Sequence, residues 1–452
     1  MSRPADKVAA PMGLRVRDGF SQFFGTEVAG AVVLLAAAII ALIIANSPMN
    51  AAVQAVWNTD AGFALGKFEF SQSLLHWVDD GLMALFFFVV GLEVKREMLV
   101  GELSAPRKAM LPILAALGGM VVPAAIYFAL NAGGTGARGW GIPMATDIAF
   151  ALGVMALLGS RVPAGLKVFL AALAIADDIG AIIVIAIFYA SDFAGVWLLF
   201  AAVLLGVLIA LNKLGVDSPG PYFIIGGLLW FAVLLSGVHA TIAGVLIAMT
   251  IPTTAKLDPL TFTRRARGRL DDIEAINVDG VHVLSDDRQQ LAARDIRRAT
   301  RRATAPLQRL EFVLQPFTTF VVLPLFALGN AGVRFSGGAA ADVFSSPVAL
   351  GVVLGLVVGK PLGIVAMSWL AVRFGLAELP ENVNWGHVMG AGILGGIGFT
   401  MSIFVANLAF RDPGLVGAAK AAILSASVLA GVIGFAVLSR YCSATHCAEP
   451  RS

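Results

Sequence analysis

The sequence predicts an all-α polytopic membrane protein of about twelve transmembrane helices, and three observations carry that reading. Hydrophobic residues make up 58% of the 452 and charged residues only 13%, where a soluble domain carries about 25% charged residues. Apolar runs long enough to cross a bilayer recur along almost the whole length. The 49 glycines suit a membrane interior, in which small residues let helices approach closely. A soluble domain is excluded, and the net charge of +3 by itself points to no partner.

Candidate spans lie near 28–46, 75–98, 109–130, 141–159, 165–190, 195–212, 221–236, 238–252, 310–334, 346–372, 386–410 and 416–439. The first is too long for a signal-peptide core and lacks a cleavage site, so it reads as retained behind a basic N-terminal segment, 1–27. Eight spans then occupy 28–252, with a small external hairpin near 56–72, where 62–70 alternates as a strand does. Segment 253–309 is long, polar and arginine-rich, and spans nine to twelve fill 310–440 before a short tail, 441–452. The stretch 264–304 suits either a basic helix on anionic lipid or a solvated linker. Cys442 and Cys447, with His446 near them, are too few for a disulfide framework and weak as a metal site.

Charge asymmetry sets the orientation. With the N-terminus inside, the inner side collects Arg3, Lys7, Arg15, Arg17, Lys95, Arg96, Arg107, Lys108, Arg161, Lys167, Lys213, Arg373, Arg440, Arg451 and the arginines of 253–309. The outer side collects Lys67, Arg138, Arg334, Arg411 and Lys420. Both termini are therefore expected in the cytoplasm. Lys360 alone remains as a basic residue in the body of a span.

The chemistry concentrates in the fourth and fifth spans, which hold Asp147, Asp177 and Asp178. A carboxylate at bilayer depth costs at least about 2.5 kcal/mol and needs a task or a partner. Adjacent on a helix, Asp177 and Asp178 point about 100° apart, so both reach one small ligand but not one neighbour. Burial and mutual repulsion favour holding protons, while the ionised pair offers hard oxygens to a small hard cation. Proton or cation, but not both, is the physical core of an exchanger. Structural pairing with a lysine is the alternative.

In the fourth span Pro143 precedes Asp147 by one turn and removes a helical hydrogen bond. A helix interrupted there frees backbone groups that are tolerated only inside protein or at a cavity, and the Thr146 hydroxyl lies beside them as a ligand. A second weak helix runs from Gly390 to Ser402, with Gly390, Gly392, Gly395, Gly396 and Gly398 close together. Close helix packing is the other reading of those glycines. Interrupted spans in corresponding positions of two halves mark the midplane site of many transporters. Spans four and eleven are the middles of triplets 3–5 and 10–12, which begin on opposite sides, so a repeat would be inverted. Lys360 needs an intramembrane carboxylate, or the negative ends of broken half-helices as Asp147 needs the positive ones.

These residues carry a resemblance to the NhaA family of bacterial sodium–proton antiporters, itself a standard example of inverted repeats. The motifs are Gly91-Leu-Glu-Val-Lys-Arg-Glu97, Ala145-Thr-Asp-Ile-Ala-Phe-Ala-Leu-Gly153, Ala174-Ile-Ala-Asp-Asp-Ile-Gly-Ala181, Gly237-Val-His-Ala-Thr241, the run Leu323 to Gly332, and Gly359-Lys-Pro-Leu-Gly363. They stand in family order over about residues 25–440. The resemblance implies a secondary transporter of the bacterial inner membrane that needs no cofactor. It would exchange cytoplasmic Na+ or Li+ for external H+, one ion against two protons, electrogenically and by alternating access. Asp177 and Asp178 would bind ion and proton with Thr146, Asp178 as the direct ligand and Asp177 as the partner of Lys360. Asp147 and Lys360 would give electrostatic support where two broken helices, spans 4 and 11, cross. Glu93, Arg96, Glu97, Glu311, Asp80 and His239 would be the pH-sensing candidates, against the alternative of a helix-end charge cluster and, at His239, a structural histidine. A homodimer through the external hairpin is implied as well. The chain departs from some members in carrying Phe312 and Gln315 after Glu311, and in the length of 253–309.

Other classes fit less well. A coupled symporter of an organic solute would want arginine or aromatic contacts at the midplane, and no arginine lies in the span bodies. An intramembrane aspartyl protease needs two aspartates from separate helices, whereas Asp177 and Asp178 are neighbours. A passive channel is disfavoured by buried titratable groups.

Overall fold

The computed structural model describes residues 12–66, 68–190, 193–276, 287–334 and 346–446. Arg3, Lys7, Lys67, Cys447 and Arg451, which entered the charge and thiol arguments, lie outside the described residues. The chain is an all-α polytopic membrane protein. Among the described residues, eight helices are long and apolar enough to cross a membrane, or nine when the bent pair Trp385–Gly395 and Phe399–Ala409 is taken as one span. Two shorter apolar helices are Pro219–Leu235 and Thr241–Thr250. Their outward faces are oily: Val32, Ile43, Val196, Leu199, Ile224 and Val432 are exposed. Hydrocarbon rather than water is the solvent that tolerates this.

The chain forms two compact units. The first comprises Met1–Phe86, Glu97–Ser191 and Pro316–Ser452. Here Pro106–Asn131 packs along Lys360–Arg373, while Trp385–Gly395 packs on Pro413–His446. Glycine makes the first crossing feasible, because a Cβ on Gly118 would run into the Gly363 carbonyl and one on Gly363 into that of Gly118. Leu166, Leu170, Leu173, Ile364, Val388 and Phe404 fill its core. A two-stranded antiparallel hairpin, β1 (Asp60–Leu65) and β2 (Phe68–Ser73), runs in register from Asp60↔Ser73 to Leu65↔Phe68. Gly66 turns it with a φ of 64°, a conformation that other residues adopt at a cost.

Three long helical runs carry a π-turn: Trp77–Leu82, Thr318–Val322 and Gly355–Gly359. Proline explains two of them. Pro324 and Pro361 lack an N–H, so the carbonyl four residues earlier loses its partner and the winding loosens. The last π-turn ends at Gly359 and Lys360 opens the α-helix after it, which places the lysine at a local break in regular winding.

The second unit comprises Phe87–Arg96 and Asp192–Gln315. Gly195–Lys213, Pro219–Leu235 and Thr241–Thr250 pack on one another. Lys95 Nζ donates to the carbonyls of Met249 and Ile251, each at 2.6 Å, satisfying acceptors that the end of Thr241–Thr250 leaves open. Among the described residues of segment 253–309, helices run over Pro259–Ile276 and Asp287–Ala303, so helix occurs in its first half as well as in its second. They run antiparallel, joined by Leu257 N–H to the Arg302 carbonyl (2.9 Å) and by Arg269 to Asp295 (2.9 Å). Their exposed surface carries Arg264, Arg265, Arg267, Arg297, Arg298 and Arg301.

Candidate functional site

The helix expected around 141–159 is interrupted. Ala137–Met144 winds as a 3₁₀ helix, 145–147 is extended, and an α-helix resumes over Ile148–Ala156. A 3₁₀ run of eight residues is long for that geometry and needs outside support. Two tyrosines provide it. Tyr189 OH donates to the Arg138 carbonyl (2.8 Å) and accepts from Gly141 N–H (3.2 Å), and Tyr127 OH donates to the Gly136 carbonyl (2.8 Å).

The bent pair supplies a second interruption. Trp385–Gly395 and Phe399–Ala409 meet at 45° around Gly396 and Ile397. Gly396 is required there, since a Cβ would collide with the Leu356 carbonyl. The two breaks are stitched together. Asp147 N–H donates to the Ile397 carbonyl at 2.7 Å, and Ser402 Oγ donates to the Ile142 carbonyl at 2.8 Å. Asp147 caps both resumed half-helices at once: its carboxylate accepts from Phe150 N–H (3.1 Å), from Thr400 N–H (3.2 Å) and from the Thr400 hydroxyl. A carboxylate at two helix N-termini answers orphan N–H groups and two dipoles together.

Thr146 hangs between these breaks and Ala164–Phe188. Its Oγ1 lies 2.7 Å from Asp177 Oδ2 and 2.8 Å from the Gly395 carbonyl, and accepts from Lys360 Nζ at 2.6 Å. One hydroxyl proton serves only one of the two acceptors at a time. Lys360 Nζ also forms an ion pair with Asp177 Oδ2. Asp177, Lys360 and Thr146 are wholly buried and Asp178 is 1% exposed. Asp177 Oδ1 has no hydrogen-bond partner among the described residues, and Asp178 interacts electrostatically with Lys360. Two carboxylates, one ammonium, a hydroxyl and a helix-end carbonyl thus converge in the buried interior. This assembly can hold a small cation or protons, and it carries too many acidic oxygens for one lysine to neutralise.

The remaining candidates fall elsewhere. Arg96 pairs with Glu311 at 2.7 Å, and Gln315 donates to Glu93 at 3.3 Å, so Gln315 joins this cluster while Phe312 is 82% exposed. Glu97 accepts from Glu102 N–H at 3.2 Å. His239 is half-buried at the turn before Thr241–Thr250. Asp80 is half-buried, and its neighbour Asp79 is the residue that accepts from Asn330 Nδ2, at 2.6 Å. Sequence reasoning assigned no role to Asp79, Asn330, Thr400, Ser402 or Tyr189. For Asp79 a signal existed, since it repeats the adjacent-aspartate pattern within an apolar run.

Residues 21–438 match the family model described as Na+/H+ antiporter 1. The chain belongs to the NhaA family of Na+/H+ antiporters. Among its relatives, a Na(+)/H(+) antiporter NhaA of Oleidesulfovibrio alaskensis is 47% identical over 436 residues, covering 96% of this chain and 95% of the relative. One from Acidithiobacillus ferrooxidans is 50% identical over 417 residues (92% and 95%), and an NhaA 1 of Saccharophagus degradans is 49% identical over 417 (92% and 90%). As an NhaA-family member the chain is a multi-pass protein of the bacterial inner membrane.

Proposed function

We propose that this protein is a secondary active antiporter, not an enzyme, exchanging cytoplasmic Na+ or Li+ for external H+ by alternating access. The observation that carries the reading is the buried convergence of Lys360, Thr146, Asp177 and Asp178 at the crossing of two interrupted helices. Asp177, Asp178 and Thr146 bind the transported ion or protons, and Asp147 and Lys360 supply electrostatic support. The fold is then twelve spans with inverted repeats in spans 3–5 and 10–12 and both termini in the cytoplasm, which the charge asymmetry supports.

Charge counting gives the cycle. Without sodium, Asp178 holds a proton and protonated Lys360 pairs with ionised Asp177, a neutral set. When Na+ takes the place of the ammonium, Lys360 and Asp178 each release a proton to the side from which sodium came. Two protons then leave for one sodium, and each cycle moves one net charge. Water exclusion makes the exchange obligatory, because an unpaired carboxylate at this depth is too costly to populate.

Glu93, Arg96, Glu97, Glu311, Asp80 and His239 are proposed to set the pH response, with Gln315 bonded to Glu93 altering its range. The hairpin β1–β2 is proposed to join two copies in a homodimer. The paired helices within 264–304 are proposed to rest on anionic lipid, which their outward arginines favour.

The test uses everted vesicles with an imposed proton gradient. Na+ and Li+ should dissipate it, K+ should not, and Asp178→Asn should abolish the response. Full activity in Asp178→Asn would overturn the site, and a response only to an organic solute would favour a symporter. Scanning pH from about 6 to 9 reads the regulation.

A further inference from the structure

Asp79 and Lys420 are charged residues that the exchange site does not use. Lys420 counted among outer helix ends in the sequence, yet it lies about two turns inside Pro413–His446, half-buried and interacting electrostatically with Asp79. Around the pair runs a chain of amides. Asn330 Nδ2 donates to Asp79 Oδ1 at 2.6 Å, and Asn407 Nδ2 donates to Asn330 Oδ1 at 2.6 Å. The directions are fixed by chemistry: an ionised carboxylate only accepts, so Asn330 turns its NH₂ to Asp79 and leaves its oxygen for Asn407. Asn330 is 2% exposed, and His76 and Asp80 are the other charged or titratable groups that face Asp79.

The placement of these residues matters more than their strength. Asp79 lies at the start of the helical run that ends beyond Lys95 and Arg96, and Asn330 ends the helix that follows the arginine-rich segment. Asn407 lies near the end of Phe399–Ala409, and the helix bearing Lys420 carries Arg440 at its far end. With basic ends inward, the four residues share the outer side. Asp79 and Asn330 come from spans 2 and 9, outside the repeats, whereas Asn407 and Lys420 come from spans 11 and 12, inside the second repeat. The ion pair Arg96–Glu311 and the contact Gln315–Glu93 instead join spans 2 and 9 to each other.

We propose that Asp79, Asn330, Asn407 and Lys420 form the outer tie of the transport cycle, positioning residues that hold the exchange site closed to the outside and part when it opens there. The proposal rests on the reading of the chain as an alternating-access exchanger. A hydrogen bond of 2.6 Å does not survive displacement of one helix set past another by a few ångströms. A polar tie also suits a step crossed in every cycle, because water entering the opened cleft satisfies the separated groups, and the net difference between states stays small. The Arg96–Glu311 pair, lying wholly outside the repeats, persists through the same motion.

Two measurements test this. In a Cys442→Ala, Cys447→Ser background, Asn330→Cys and Asn407→Cys are introduced together and joined with a short, reducible bifunctional reagent. Na+/H+ exchange in proteoliposomes should fall more than tenfold on cross-linking and return on reduction, while each single cysteine treated alike keeps its rate. Second, Asn407→Ala should shift the population toward the outward-open state. The apparent KM for Na+ should then fall about threefold in right-side-out vesicles and rise about threefold in everted ones, the size expected from losing one hydrogen bond. A merely structural role would move both the same way. Undiminished exchange in the cross-linked protein, or KM values that stay put or move together, overturns the tie. Absence of exchange before cross-linking, in the wild type as well, overturns the antiporter reading instead.

Discussion

Asp177–Asp178 and Asp79–Asp80 are the same dipeptide set at different depths, one in the middle of Ala164–Phe188 and one near the start of a helical run. Around the first pair everything is buried, and the partners are an ammonium from another helix and a hydroxyl from the extended stretch 145–147. Around the second the carboxylates are half-buried, and Asp79 meets an amide and the charge of Lys420. Two neighbouring carboxylates therefore do not define an exchange site. What sets the exchange site apart is that both carboxylates and their one lysine are buried, so that a proton or a transported ion has to complete the charge.

That contrast can be broken most directly by neutralising each pair in turn. Asp178→Asn should abolish Na+-driven proton release in vesicles, a loss of at least a hundredfold, whereas Asp79→Asn should keep exchange within about tenfold, since it removes a charge but keeps an amide-to-amide contact possible. Equal losses would erase the distinction. The next effect is on stability. Lys360→Met strands Asp177 in a dry interior, and thermal unfolding in detergent should show a loss of about 3–5 kcal/mol. Adding Asp177→Asn should recover most of it, because the stranded charge is what costs.

Smaller effects come from the supports. Thr400→Val removes the hydroxyl that Asp147 accepts from and should cost about 1.5–3 kcal/mol, with Thr400→Ser close to wild type. The smallest lies outside the membrane. A hydrogen bond from Lys256, 3.1 Å away, is the main reason that the Asp217 carboxyl is held below the usual carboxylate range. A lowered folded value means that its contribution is present above the ordinary aspartate pKa and fades as pH falls through the folded one. Lys256→Ala should then cost less than about 1 kcal/mol at pH 7, a difference that shrinks as the pH falls below the ordinary aspartate range and the carboxylate is protonated.

Much of this architecture is legible in the chain because a bilayer leaves few options: an apolar run of sufficient length must be helical, since hydrocarbon satisfies no backbone group. Pro143 and the glycines of 390–398 mark weak helix by the same logic, and a lone lysine at depth demands a carboxylate. The second cap on Asp147 was not legible. Thr400 is one hydroxyl among many, and it becomes a cap donor only because the glycine break carries the start of Phe399–Ala409 to the extended stretch 145–147. Lys420 misled for a related reason, as the helix starting at Pro413 carries it deeper than its apolar run suggests.

The sequence by itself determined that this is a helical membrane protein with costly charges and two weak helices, because those follow from local composition and from the solvent. Which oxygens face which nitrogens only the tertiary structure decided. Thr146, Asp177, Lys360 and Gly395 lie far apart along the chain, and a contact across such separations is fixed by helix crossings such as Gly118 on Gly363. No periodicity encodes those crossings.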